Sequence, residues 1–232
     1  MDIKVYEMKF KVFLYTDVSH KEVSTVICEF IDKGLAMDDQ YIEYHNSNTF
    51  KYNFGGFYPV EKSKTYRKEN IYQFTLRTCD EKLAKYLYKC LPECSTKRIK
   101  GLIGDMRVVP RGHISTLYTL TPVIVKSKDG GYWRDNMTVE EFEKRLKINL
   151  IKKYNLITGQ KLDENFELYN LLEFTNCKPI AVQYKGIELL SDKVELKIAD
   201  NSTAQNLAYI SLGTGLCEMN ARGFGHLSYH IM

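Results

Sequence analysis

The sequence predicts an α+β protein built of two tandem ferredoxin-like domains, each of order βαββαβ. Three observations carry this. Segments of period-two alternation and of helical period follow one another as strand, helix, strand, strand, helix, strand, and that order occurs twice. The 232 residues suffice for two domains of about 100–120 residues each. A 44% hydrophobic and 12% aromatic content supplies both with a core and excludes general disorder.

The first strand alternates Met8, Phe10, Val12 and Leu14 against Lys9 and Lys11. A helix follows, capped by Asp17 or Ser19, with Val23, Val26, Ile27, Phe30 and Ile31 on its apolar face and Gly34 closing it. After a polar connection, FKYNF at Phe50 to Phe54 and IYQFTL, with Tyr72, Phe74 and Leu76 on one face, read as strands. Asp80 caps a helix that places Leu83 with Leu87 and stops before Pro92, and a strand around Lys100 to Val109 completes the set.

The second half opens on TLYTLTPVIVK, a strand interrupted only by Pro122. In TVEEFEKRLKINLIKKY, Thr138 and Glu141 form a capping box, and Val139, Phe142, Leu146 and Leu150 face the core. Strands at Ile180 to Tyr184 and Val194 to Ile198 follow, then a helix from Asn201 to about Ile210 and a last strand, FGHLSYHI. The domains are expected at 1–111 and 112–232, joined near Pro110–Gly112.

No apolar run approaches the roughly 20 residues that span a bilayer, and the N-terminus alternates charged with apolar residues, unlike a signal peptide. The expectation is a soluble, cytoplasmic protein that does not engage membranes. None of the six cysteines, at 28, 79, 90, 94, 177 and 217, forms a CxxC pair or a zinc-type group with histidine, so reduced structural thiols, no metal and no cofactor are expected. The net charge is +4, but the bases are clustered: Lys62, Lys64, Arg67 and Lys68; Lys97, Arg98 and Lys100; Arg107 and Arg111. Bases interleaved with 17 tyrosines suit single-stranded nucleic acid, whose bases stack on aromatics while cations track phosphates.

Four of the 14 glycines crowd into the thirteen residues from Gly213 to Gly225. A dinucleotide site would need G-x-G-x-x-G between strand and helix, and a P-loop would need G-K-[ST]. Here the glycines follow a helix, Glu218 stands at the third position, and no G-K-[ST] occurs. Both nucleotide motifs are excluded.

The form Gly215-Leu216-Cys217, then EMNAR, then Gly223-Phe224-Gly225, resembles the glycine-rich loop of the CRISPR-associated repeat-processing endoribonucleases (the Cas-six family), with Cys217 where glycine is usual. LTPVIVK, EYHNSNTFKYNFGGFYPVE and IGDMRVV are similar to other stretches of that family, so the resemblance spans essentially the whole chain. It implies a pair of domains like RNA-recognition modules (RRM-like) and a metal-independent endoribonuclease. Such an enzyme cuts precursor CRISPR RNA within its repeats to make guide RNAs. A ribose 2′-hydroxyl attacks the adjacent phosphate and leaves 2′,3′-cyclic phosphate and 5′-hydroxyl ends. The partners implied are precursor and mature CRISPR repeat RNA, other CRISPR effector-complex subunits, and a second copy of the chain.

This chemistry needs a base, an acid and positive charge at the reacting phosphate. By resemblance His45, in a polar loop, falls where the family carries its catalytic histidine, and Lys51 where some members carry a charge-steadying lysine. Tyr41 and Tyr44 are nearby substitutes for a tyrosine that the first helix lacks, and His20, in that helix's first turn, is a second proton carrier. His113, His226 and His230 read as structural. Gly213, Gly215, Gly223 and Gly225 offer bare backbone to RNA, and Arg222 offers charge. The alternatives are a non-catalytic repeat RNA-binding subunit of an effector complex and a generic two-domain RNA-recognition protein. The latter lacks the K/R-G-F/Y-G/A-F-V-x-F/Y signature. No spaced carboxylate set suggests a two-metal nuclease.

Overall fold

The computed structural model describes residues 3–46, 51–126, 131–184 and 186–232, with 43–46 described by backbone alone. The first half comprises β1 (Tyr6–Leu14), β2 (Val18–Ser19), α1 (Val23–Leu35), α2 (Asp39–Asn46), β3 (Tyr52–Phe54), β4 (Thr65–Tyr66), β5 (Ile71–Thr78), α3 (Glu81–Cys90) and β6 (Ile99–Val108). The second comprises β7 (Ile114–Thr119), α4 (Trp133–Asn136), α5 (Val139–Thr158), β8 (Tyr169–Phe174), β9 (Ile180–Tyr184), β10 (Ile187–Ser191), β11 (Val194–Ile198), α6 (Ser202–Thr214) and β12 (Leu227–Ile231).

The two halves repeat one topology. Their antiparallel sheets run β3-β5-β1-β6 and β12-β7-β11-β8. Within each βαββαβ unit the first and third strands are central and the second and fourth form the edges. This is the ferredoxin-like arrangement, present twice.

Local chemistry explains most elements. On β1, Met8, Phe10, Val12 and Leu14 are buried while Lys11 is exposed, as period-two alternation requires. The Asp80 carboxylate caps α3 by accepting the N–H groups of Lys82 and Leu83. On α5, Thr138 and Glu141 form the capping box, and Phe142, Leu146 and Leu150 are buried. Val139, expected on the core face, is instead 44% exposed because it stands in the first turn.

Several expectations are corrected. Neither Asp17 nor Ser19 caps α1. Asp17 accepts the Lys68 N–H and pairs with Arg67, and Ser19 lies on β2, which pairs with β4. Glu22 occupies the cap position without a side-chain cap bond. Gly34 lies inside α1; a Cβ there would stand 2.6 Å from the Leu91 side chain, so close packing, not helix closure, requires glycine. β7 ends at Thr119 instead of continuing through Pro122, which has no N–H for a ladder. The strand at Ile180–Tyr184 belongs to a separate hairpin with β10, turned at Gly186. β8 takes its expected place in the sheet. The last helix runs to Thr214, beyond Ile210, and so contains Gly213, while β12 starts at Leu227 rather than Phe224.

Candidate functional site

The glycine-rich segment joins α6 to β12 and is held from within by two side chains. Asn220 donates through Nδ2 to the carbonyls of Leu216 and Phe224, at 2.8 and 3.0 Å. Its Oδ1 accepts from Lys153 Nζ at 2.7 Å. The Lys153 amine, carried by α5, also donates to the carbonyls of Gly215 and Cys217, both at 2.8 Å. Three acceptors thus surround one half-buried lysine.

This scaffold explains the glycines. Gly215 and Gly225 have φ of +76° and +66°. A Cβ on Gly215 would lie 2.4 Å from the Asn220 amide, and one on Gly225 would lie 2.1 Å from the Leu216 carbonyl. Gly213 packs inside α6 against Cys79, and Gly223 packs against Phe54 and Ser24 of the first half. All four glycines are buried. The loop's backbone is therefore turned largely inward, unlike the bare, outward-facing amides expected from sequence. Cys217 itself keeps a left-handed backbone, at φ +57°. Arg222 is also engaged: its Nη1 donates to Asp32 at 2.9 Å and to Cys28 Sγ at 2.8 Å.

The loop packs into a polar seam between the halves. Glu7 accepts from Arg77 and Arg107, and Arg77 also donates to the Leu227 carbonyl. Burial pushes the Glu7 carboxyl up, but the two guanidiniums outweigh burial and hold its pKa below the ordinary value. Asn53 donates to the Leu212 carbonyl at 3.0 Å, which aims its Oδ1 at His226 Nδ1 in a short contact. Burial first, and then the Arg77 charge, keep the His226 pKa well below 6.5. A neutral imidazole carrying its proton on Nδ1 satisfies this geometry. His226 is thus an interdomain joint, as the expectation of a structural role had it, while His230 is exposed and stacks on Tyr118. His113 faces Asp200 at 3.7 Å.

The expected catalytic residues fall into two places. The backbone carrying His45 and Tyr44 is helical, the end of α2, and not a loop; their side chains lie outside the described residues. Tyr41, on the same helix, stacks on Tyr86 with ring centroids 4.0 Å apart, and its hydroxyl donates to the Lys82 carbonyl at 3.4 Å. Burial, then Asp80 and Asp38, raise its pKa, so the phenol stays protonated near neutrality. Lys51 directly precedes β3 and lines a cavity of about 350 Å³ with Asp80, Glu81 and Lys82. Lys82 links α2 to this cavity: its carbonyl takes the Tyr41 hydroxyl of α2, and it lines the cavity with Lys51.

The other end of β3 opens, through Phe54, Gly55 and Gly56, into a second cavity of about 330 Å³ between the halves. His20 lines this one, beside Gly223 and Phe224. It sits in the turn after β2 rather than in the first turn of α1, because β2 and β4 extend the chain before the helix begins, and its N–H donates to the Lys64 carbonyl. Lys51 and Tyr41 each neighbour Lys82, whereas His20 lines the other cavity.

Lys153 was not anticipated from the sequence, although Phe142, Leu146, Leu150 and Lys153 follow one another along a single helical stripe. A lysine continuing such a stripe is the signal that identifies it. Asp192 was also missed. It is buried and accepts from Tyr132, Trp133, Arg134 and Asn176, tying α4 to the β10–β11 connection.

Residues 105–229 match the family model described as CRISPR associated protein Cas6, C-terminal. No curated protein sequence matches the chain. Among solved structures, the chain resembles an RAMP protein described as binding different RNA substrates (TM-score 0.72, 15% identity, 97% of this chain and 99% of that one). It resembles a Cas6-related protein from Pyrococcus furiosus (0.68, 14%, 97% and 98%) and a CRISPR associated protein Cas6 (0.66, 18%, 97% and 99%). At such identities the likeness is one of fold. No helix of the described residues is long and apolar enough to cross a membrane.

Proposed function

From the premise that this chain belongs to the Cas6 family of CRISPR-associated proteins, we propose that it is a metal-independent endoribonuclease acting on precursor CRISPR RNA. It cuts within the repeats by 2′-hydroxyl attack, leaving 2′,3′-cyclic phosphate and 5′-hydroxyl ends. The observation that supports the reading is Lys82, whose carbonyl takes the Tyr41 hydroxyl of α2, the helix that bears His45, and which lines one cavity with Lys51. His45 takes the proton-transfer role, since an imidazole titrates near neutrality. Lys51 supplies positive charge to the phosphate, and Lys82 stands beside it. Tyr41, whose hydroxyl donates to the Lys82 carbonyl, positions α2 beside that site, and Tyr44 belongs to the same helix. RNA contact by the loop falls to Gly223, at the interdomain cavity, and to Arg222, at its outer side; Gly213, Gly215 and Gly225 hold its shape. We place the domain division at 111/112.

Cleavage of a cognate repeat RNA in excess EDTA tests this. Wild type should cut, while His45→Ala should lose about 100-fold or more in rate. A substrate with 2′-deoxyribose just 5′ of the scissile phosphate should resist cleavage. If His45→Ala cuts at the wild-type rate, the site assignment is wrong. One observation favours a second place for the chemistry: His20 lines the interdomain cavity beside Gly223 and Phe224. His20→Ala losing the activity that His45→Ala retains would move the centre there. Wild type that binds the repeat without cutting it would instead be a non-catalytic subunit, a reading supported by likeness to the RNA-binding RAMP protein.

A further inference from the structure

Thr78, the last residue of β5, is fully buried, and a hydroxyl withdrawn from water needs partners. Its Oγ1 donates to the Lys51 carbonyl at 2.6 Å and accepts the Asp80 N–H at 3.0 Å. The Asp80 carboxylate in turn accepts the N–H groups of Lys82 and Leu83, so the hydroxyl is tied to the start of α3. The Lys82 carbonyl accepts the Tyr41 hydroxyl of α2. One chain of bonds thus runs from the Lys51 backbone through Thr78, Asp80 and Lys82 to the helix that bears His45. β3 begins only at Tyr52, which pairs with Thr78. The strand ladder therefore fixes Tyr52, and the Thr78 hydroxyl fixes the residue before it. Valine would fill the same space without making either bond.

We propose that Thr78 is a positioning residue, whose hydroxyl holds the Lys51 backbone against the start of α3 and so aims the Lys51 ammonium at the phosphate that is cut. The proposal rests on the reading that Lys51 supplies charge to that phosphate. Thr78 itself is buried and touches no RNA. Displacing a charged group by about 1 Å costs up to about 100-fold in rate. Affinity for RNA is spread over many phosphate contacts and should change little.

The test is single-turnover cleavage of a cognate repeat RNA in excess EDTA over a range of enzyme concentrations. It yields the maximal rate and the half-saturating concentration separately, and urea unfolding of each protein accompanies it. The proteins are wild type, Thr78→Val, Thr78→Ser, Lys51→Ala, the double variant of Thr78→Val with Lys51→Ala, and Thr138→Ala. The last loses the cap of α5, at the opposite end of that helix from Leu156 and Ile157, which line the cavity with Lys51. Thr78→Val should lower the maximal rate about 10-fold and leave half-saturation within about 2-fold. Thr78→Ser keeps the hydroxyl and should stay within about 3-fold of wild type. Thr138→Ala should lose stability and keep the wild-type rate. In the Lys51→Ala background, Thr78→Val should cost less than about 2-fold more, because the group it positions is gone. Thr78→Ala takes its place, under the same expectations, if the valine variant does not fold.

A wild-type maximal rate without the hydroxyl would overturn the proposal, as would a full further loss on top of Lys51→Ala. So would a serine variant no better than valine, or an equal fall in Thr138→Ala, which would make lost stability the cause. Lys51→Ala cutting at the wild-type rate would overturn the role of Lys51 and this proposal with it. Wild type that does not cut would overturn the endoribonuclease reading as well.

Discussion

At the scale of single residues, the glycine cluster was visible in the sequence but its cause was not. The cause is a contact between Asn220 and Lys153, 67 positions apart, and no local pattern carries such information. Lys153 can be tested directly. Lys153→Met leaves the carbonyls of Gly215 and Cys217 and the Asn220 Oδ1 without their donor in a buried place. An orphaned buried acceptor costs about 1–3 kcal/mol. Removing the desolvated charge offsets part of this, so a net loss of about 2 kcal/mol is expected in urea unfolding at pH 7. A variant as stable as wild type would mean that burying the charge costs as much as its bonds return. The pH dependence has a definite sign. Burial pulls the amine down to about 7, below its unfolded value near 10.4. Between those values the unfolded chain holds more protons, so this group makes stability rise with pH from about 7 to 10 and leaves it flat below. Lys153→Met should abolish that rise.

At the scale of elements, capping chemistry and periodicity were legible where a single residue does the work. Asp80 and Thr138 cap as their sequence positions require, and the stripe on α5 is buried except at its first position. The failures occurred where tertiary pairing outweighs local signal. Ile180–Tyr184 has a strand's composition and forms one, but in a hairpin, while β8 takes the sheet edge with Asn170 and Glu173 in its run. Ser19 has the right chemistry for a cap and the wrong place, being paired with Thr65. These assignments separate in denaturant unfolding. Asp80→Ala and Thr138→Ala should each cost about 1 kcal/mol. Ser19→Ala should stay within about 0.5 kcal/mol of wild type, as for a residue outside any cap. A loss at Ser19 equal to that at Asp80 would restore it as the cap of α1. The proposed catalytic role of His45 rests on resemblance alone, because α2 has no apolar pattern that marks a site.

At the scale of the whole molecule, the two ferredoxin-like halves are joined by groups that titrate, so their union should depend on pH. Glu7, between Arg77 and Arg107, has its pKa lowered in the native state. It contributes stability above its unfolded value of about 4.3, and this is lost as pH falls through the lower native value. His226, buried between Asn53 and the Gly55 turn, also has a lowered pKa, but as a base it acts in a higher window. Below about pH 6.5 the unfolded chain takes up a proton that native His226 refuses, so stability falls with acid at up to about 1.4 kcal/mol per pH unit. Acid should therefore part the halves in two stages, the first belonging to His226. His226→Gln removes the titrating group while its amide can still reach Asn53, so the loss between pH 6.5 and 5 should shrink by about one proton's worth of slope. Glu7→Gln should leave that upper window unchanged. It should cost about 3–5 kcal/mol at pH 7, as breaking one side of a buried ion pair does, because Arg77 is then buried with its charge unanswered. Stability measured by urea unfolding across pH 4–8 decides between these. If His226→Gln and wild type lose stability in parallel from pH 6.5 to 5, the joint at His226 does not sense acid, and the upper window belongs to another group.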